Sequence, residues 1–209
     1  MALSKQIGVY KTDKKLLELV DMLNPAPTNM YAHLHARGDA VPGGTKIYSN
    51  VRVVLQDYTA GTGASLKRAT ANLSPEELRY IYSRLYNGVK EFEFRTDKIF
   101  GAPDKDGRSM VTKLLIKRGD IGSDGKPRRY PWYVEIENGT GVPAKGASGG
   151  TYCQSGTFAS TAKIFINISE IDFFKLFCQA VSFLNVWEQR YGDDLLRIME
   201  TMADTDDES

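Results

Sequence analysis

The spacing of apolar positions changes along this chain, and each change marks an element. Leu16, Leu17, Val20 and Leu23 recur at a helical interval after Thr12 or Asp13, and Asn24-Pro25 supplies a stop. That pattern predicts a helix from about Thr12 to Leu23, inside an N-terminal extension of residues 1–28. Tyr31 to Arg37 predicts a strand, with Val41-Pro42-Gly43-Gly44 as the turn after it. Ile47 to Tyr58 has period two: Val51, Val53 and Leu55 share one face, and Tyr48, Arg52, Gln56 and Tyr58 the other. A further strand runs from about Leu66 to Leu73. Ser74-Pro75-Glu76-Glu77 combines a serine cap, an early proline and a glutamate three residues on, so it predicts a helix start. Leu78, Ile81, Tyr82 and Leu85 form the stripe of that helix, and Asn87-Gly88 ends it.

The same order then recurs. Phe92 and Phe94 alternate with charged residues from Glu91. Ser109 to Arg118 is a strand, Asp120 to Pro127 a turn, and Tyr130 to Glu137 a strand with Trp132, Val134 and Ile136 on one face. Five glycines between Asn138 and Gly150 predict a mobile loop. A last strand, about Phe158 to Ile168, runs into Ser169 and a helix that is apolar nearly all round, from Ile171 to Trp187. Such a helix asks to be covered on every side, between two halves or at a subunit interface.

The recurrence is a duplication. Setting Asn72 on Asn167 without a gap matches Leu73/Ile168, Ser74/Ser169, Glu77/Asp172, Leu78/Phe173, Ile81/Leu176 and Tyr82/Phe177. The predicted fold is therefore α+β: two tandem units of antiparallel curved sheet plus helix, residues 29–88 and 89–192, forming one domain over 29–192. Residues 193–209 are expected to be an acidic, disordered tail.

Charge changes this picture only locally. The net charge is +1. Between Lys105 and Pro131, however, eight basic residues face three acidic ones, and from Asp193 onward seven acidic residues face Arg197 alone. No apolar run reaches the roughly 18 residues of a membrane span. The polar start MALSKQIGVYKTDKK does not read as a signal peptide, which makes a cytoplasmic protein the expectation. Two cysteines, Cys153 and Cys178, imply neither a disulfide framework nor a cysteine zinc site.

Catalytic motifs are weak. His33 and His35 share a strand face without a third ligand nearby, so they read as structural or surface residues and no metal is assigned. Glu135 and Glu137 have the spacing of an acid–base pair, but they read better as the wet face of a half-buried strand. Neither cysteine has a partner base in the sequence pattern. The glycine-rich segment Gly139–Gly150 lacks the Gly-Lys-Ser/Thr ending of a phosphate loop. No catalytic residue, cofactor or metal is assigned, and a non-enzymatic protein is the expectation. Aromatic and basic residues interleaved on strand faces suit single-stranded nucleic acid, because rings stack bases and cations follow phosphates. The residues so chosen are Tyr48, Arg52, Tyr58, Lys113, Lys117, Arg128, Arg129, Lys163 and Phe165. The apolar last helix and the acidic tail offer an alternative, a protein-interaction module.

The duplicated Asn-Φ-Ser-x-x-acid-Φ pattern, strongest over Thr70–Tyr82 and Phe165–Phe177, resembles the Whirly proteins and the related single-stranded-DNA-binding transcriptional coactivators. The likeness covers about residues 30–191. It implies a pseudo-dimer of two four-stranded sheets with crossed helices. It also implies single-strand DNA or RNA binding in replication, transfer, repair or transcription, homo-oligomers, and contacts from outer sheet faces. The Lys-Gly-Lys motif of plant Whirly proteins has no counterpart here; Val51-Arg52-Val53 stands nearest. Tyr130-Pro-Trp-Tyr133 is also similar to a strand of small proteins from Gram-positive bacteria and their mobile elements.

Overall fold

Residues 6–22 are a hairpin of two strands, not a helix. In the computed structural model, which describes residues 5–27, 33–41, 43–122, 124–147 and 149–206, strand β1 (Gln6–Lys11) pairs antiparallel with β2 (Lys15–Met22). Thr12 makes the turn: its N–H donates to Lys15 O at 2.8 Å, and its Oγ1 accepts from Lys15 N–H at 3.0 Å. The spacing of Leu16, Leu17, Val20 and Leu23 fits a helix, but Leu17 and Leu19 also satisfy period two, and both are buried. Tertiary pairing decides between the two readings. The hairpin joins the first sheet, so residues 6–22 are strands rather than part of the helical extension expected over 1–28.

Two four-stranded antiparallel sheets result. The first has the order β1-β2-β5-β6, with β5 at Asn50–Asp57 and β6 at Lys67–Leu73; a small hairpin, β3 (Arg37–Ala40) and β4 (Lys46–Tyr48), is inserted before β5. The second has the order β12-β9-β8-β7, built from β7 (Glu91–Phe100), β8 (Ser109–Gly119), β9 (Trp132–Gly141) and β12 (Ala159–Ile168). Its inserted hairpin, β10 (Pro143–Lys145) with β11 (Thr151–Cys153), occupies much of the stretch expected to be a mobile loop. The strand expected from Tyr31 lies partly outside the described residues.

A helix follows each sheet. Ser74 caps α1 (Pro75–Tyr86): its Oγ accepts from Glu77 N–H at 3.1 Å, and Glu77 Oε2 accepts from Ser74 N–H at 2.8 Å. Ser169 opens α2 (Glu170–Asp206), accepting from Asp172 N–H at 3.2 Å. Each cap stabilises its helix by about 1 kcal/mol. Helix α2 extends through most of the segment expected to be a disordered tail; Asp207 and Glu208 lie outside the described residues.

One core joins the units. Leu17, Leu19, Val51, Val53, Leu55, Ala71 and Leu73 from the first sheet meet Leu114, Ile116, Trp132, Val134, Ile136, Ile164, Ile166 and Ile168 from the second, and Leu78, Ile81, Phe173 and Phe177 complete it. The fourth strand of each sheet lies against the other sheet. The Asn138 amide bridges the free edge of β6: Thr70 N–H donates to Oδ1 at 2.8 Å, and Nδ2 donates to Thr70 O at 2.8 Å. In the other unit the strand registers make Phe165 the counterpart of Thr70, and Asp57 that of Asn138. There Lys15, 3.9 Å from Asp57, donates to Phe165 O at 2.7 Å. One position on each of these two edge strands, β6 and β12, is thus engaged by a side chain of the opposite sheet. Helix α2 is not covered all round: Ile171, Phe183 and Val186 are exposed. Among the described residues no helix is long and apolar enough to cross a membrane.

Candidate nucleic-acid interface

Pleating places every second residue of β7, β8, β9 and β12 on the face turned away from the core. Register then aligns three rows across the sheet: Glu93–Lys117–Tyr133–Asn167, Arg95–Leu115–Glu135–Phe165, and Asp97–Lys113–Glu137–Lys163. Four of the nine residues chosen from sequence, Lys113, Lys117, Lys163 and Phe165, therefore share one surface.

The rings on that surface are arranged for stacking. Tyr133 and Phe165 lie with centroids 5.5 Å apart and planes 22° apart. The Lys117 ammonium stands 5.1 Å from the Tyr133 centroid, and Lys15 reaches over the edge of β12 to 3.9 Å from that of Phe165. Phe165 is 43% exposed, so a base can reach it. Tyr133 O–H donates to Glu135. Burial, and then that carboxylate, push its pKa well above the ordinary tyrosine value, so the phenol stays neutral.

Phe158 lies at the other end of the face, over Gly139, with Lys113 Nζ 3.9 Å from its ring centroid. Any side chain at 139 would collide: a Cβ there would sit 2.2 Å from Ala159 O and 2.7 Å from the Phe158 ring. Arg108 secures this end by donating to Thr140 Oγ1 at 2.9 Å and Thr157 O at 2.6 Å. Three residue pairs along β9 separate Tyr133 from Gly139, so the two ring positions stand about 20 Å apart.

Charge on the face is balanced. Arg95, Lys113, Lys117 and Lys163 alternate with Glu93, Asp97, Glu135 and Glu137. Lys163 sits 3.1 Å from Glu135 and 3.9 Å from Glu137, so it is committed to carboxylates. The sequence reading counted its cation but not these partners, which only the cross-strand register reveals.

The other chosen residues lie elsewhere. Arg52 is on the outer face of the first sheet, where its Nε donates to Asn72 Oδ1 at 3.3 Å. Tyr58, just past β5, donates its hydroxyl proton to Gln56 at 2.7 Å. Tyr48 is exposed on β4, its ring beside Gly38. Arg128 and Arg129 sit between β8 and β9; Arg128 donates to Ile121 O at 3.1 Å, and Arg129 lies 5.4 Å from the Tyr130 ring. The first sheet's outer face carries Leu16, Val20 and Val54 where the second carries Lys113, Lys117 and Glu135, so the two sheets differ on their outer faces while both inner faces are apolar.

The histidines have structural partners. Asn24 N–H donates to Ser49 Oγ at 3.1 Å, Ser49 Oγ and His35 Nδ1 share a hydrogen bond of 2.8 Å, and the imidazole Nε2–H donates to Glu188 at 2.9 Å. His35 stacks on Trp187, with centroids 4.7 Å apart. Burial alone would raise the Glu188 pKa, but donation from Arg79 and His35 outweighs it and leaves the group below the ordinary glutamate value. His33 pairs with Asp39 at 3.2 Å. Among the described residues no group of three His, Cys, Asp or Glu side chains is placed to hold a metal. No family profile, curated protein or solved structure matches the chain.

Proposed function

We propose that this chain is a Whirly-like pseudo-dimer that binds single-stranded nucleic acid, DNA or RNA, without catalysis, through the outer face of its second sheet. The observation that carries the reading is the stacked Tyr133–Phe165 pair, open to solvent and flanked by Lys117 and Lys15. The duplicated sheet-then-helix order supports the pseudo-dimer. Bases stack on exposed rings for about 1–3 kcal/mol each, whatever their sequence.

The charge balance sets how such binding responds to salt. Among the described residues Arg95 and Lys163 pair with carboxylates of this face, while Lys117 and Lys113 lie against rings and make no ion pair. Two neutralised phosphates give a log–log salt slope of about −1.4 on single strands, against about −2.8 if all four cations of the face acted. Anisotropy of a labelled oligo-dT between about 50 and 200 mM salt measures it. Binding with the shallow slope supports the reading, and no binding at the low-salt end ends it.

The exposed Ile171, Phe183 and Val186 of α2 favour a second reading. Phe183 also lines a groove of about 520 Å³ between α2 and β1, with Ile7, Phe174 and Cys178 among its other walls. A protein-interaction module would use this side of the molecule and leave the ring face free. Ring-face substitutions that leave oligonucleotide binding unchanged would favour it.

A further inference from the structure

Between the ring pair and Phe158 the sheet face sinks into a depression of about 180 Å³, lined by Arg95, Asp97, Lys113, Glu135, Glu137 and Lys163 with Leu115 among them. Phosphate tracking does not explain half of this lining, because carboxylates repel phosphates. Base edges do explain it. A depression of that size beside a stacking shelf accepts one base, and its walls alternate hydrogen-bond acceptors and donors along a cross-strand row.

We propose that this depression reads a base edge and prefers guanine to thymine or uracil, with Glu137 as the residue that sets the preference; the proposal rests on the single-strand reading above. Glu135 is already committed to Tyr133 O–H and Lys163. Among the described residues the Glu137 carboxylate has a single contact, Oε2 to Lys163 at 3.9 Å, so a carboxylate oxygen remains for a ligand. Guanine offers two adjacent donors, N1–H and the N2 amino group, which a carboxylate accepts together. Its O6 and N7 are acceptors that a Lys or Arg side chain satisfies, and Lys113 on β8 and Arg95 on β7 line the same depression. Thymine and uracil present one N–H between two carbonyls. Against Glu137 those carbonyls meet negative charge, and the second carboxylate lone pair finds no donor.

A two-point contact of this kind discriminates by about 5- to 150-fold. The test compares three labelled 12-mers by anisotropy at fixed salt: all dT, dT with one central dG, and dT with one central inosine, which lacks the N2 amino group. Wild-type protein should bind the dG oligonucleotide at least about five-fold more tightly than all-dT, and inosine should lose most of that gain. Glu137→Gln should lose the dG preference, read as the ratio of its dG to its all-dT affinity, because the lost charge shifts the affinity for every oligonucleotide. Binding of all three oligonucleotides alike overturns the proposal while leaving the single-strand reading in place. So does a dG preference that survives both inosine and Glu137→Gln. Failure to bind any of them overturns both. The inosine comparison needs no variant, so it stands even if Glu137→Gln folds poorly.

Discussion

Replacing Asn138 with alanine tests how the two sheets are joined. The Asn138 amide satisfies both the N–H and the C=O of Thr70 on the free edge of β6, each at 2.8 Å, and donates to Thr112 Oγ1 at 3.1 Å. Alanine removes all three bonds. Thr112 can rotate its hydroxyl, but the two main-chain groups of Thr70 stay in place. A buried polar group left unpaired costs about 1–3 kcal/mol. Thr70 is half-buried, so water recovers part of this, and the two groups together should cost about 2–4 kcal/mol. For a chain of this size each kcal/mol lowers Tm by about 2–4 °C, so a drop of about 4–16 °C is expected by calorimetry or circular dichroism. Asn138→Asp keeps the acceptor for Thr70 N–H but turns a carboxylate on the Thr70 carbonyl. Part of its deficit should return as pH falls and that carboxylate gains a proton. A Tm for Asn138→Ala within about 2 °C of wild type, less than one kcal/mol, would refute the claim that the second sheet holds the edge of the first.

Two further outcomes follow from the packing. Gly139→Ala places a Cβ 2.2 Å from Ala159 O, so the start of β12 must shift; a loss of about 1–3 kcal/mol is expected in urea unfolding, and an unchanged midpoint would contradict the described approach. The Glu188 carboxyl is held below its ordinary value by Arg79 and His35, so its contribution is complete above the unfolded pKa near 4.3 and fades as pH falls through the lower folded one. Between pH 6 and pH 3 the wild type should therefore lose more stability than Glu188→Gln; equal losses would show that the network is not coupled to folding.

Much of the second unit could be read directly because its signals agree across levels. Trp132, Val134 and Ile136 alternate, Ser169 caps, and Phe173 and Phe177 are buried as their spacing predicts. The first hairpin could not, because Leu16, Leu17, Val20 and Leu23 fit a helical stripe while Leu17, Leu19 and Leu23 fit a strand face, and only the pairing with β5 decides between them. The ring face was legible in part. Lys163 and Phe165 announce themselves by alternation along one strand, as do Lys113 and Lys117. Tyr133 was missed, because its stacking on Phe165 depends on a cross-strand register that no local pattern carries. The same holds for Lys15, which approaches Phe165 from 150 residues away. The carboxylates that balance the lysines were visible as Glu135 and Glu137, but their partners were not.

The central claim is that nucleotides stack on one face of the second sheet. Its most direct measurement is the oligo-dT affinity of Phe165→Ala and Tyr133→Ala beside that of Arg52→Ala on the first sheet. Each ring variant should bind about 5- to 150-fold more weakly, the worth of one stacked base, while Arg52→Ala binds as wild type does. Ring variants that keep wild-type affinity, or a loss confined to Arg52→Ala, would contradict the account.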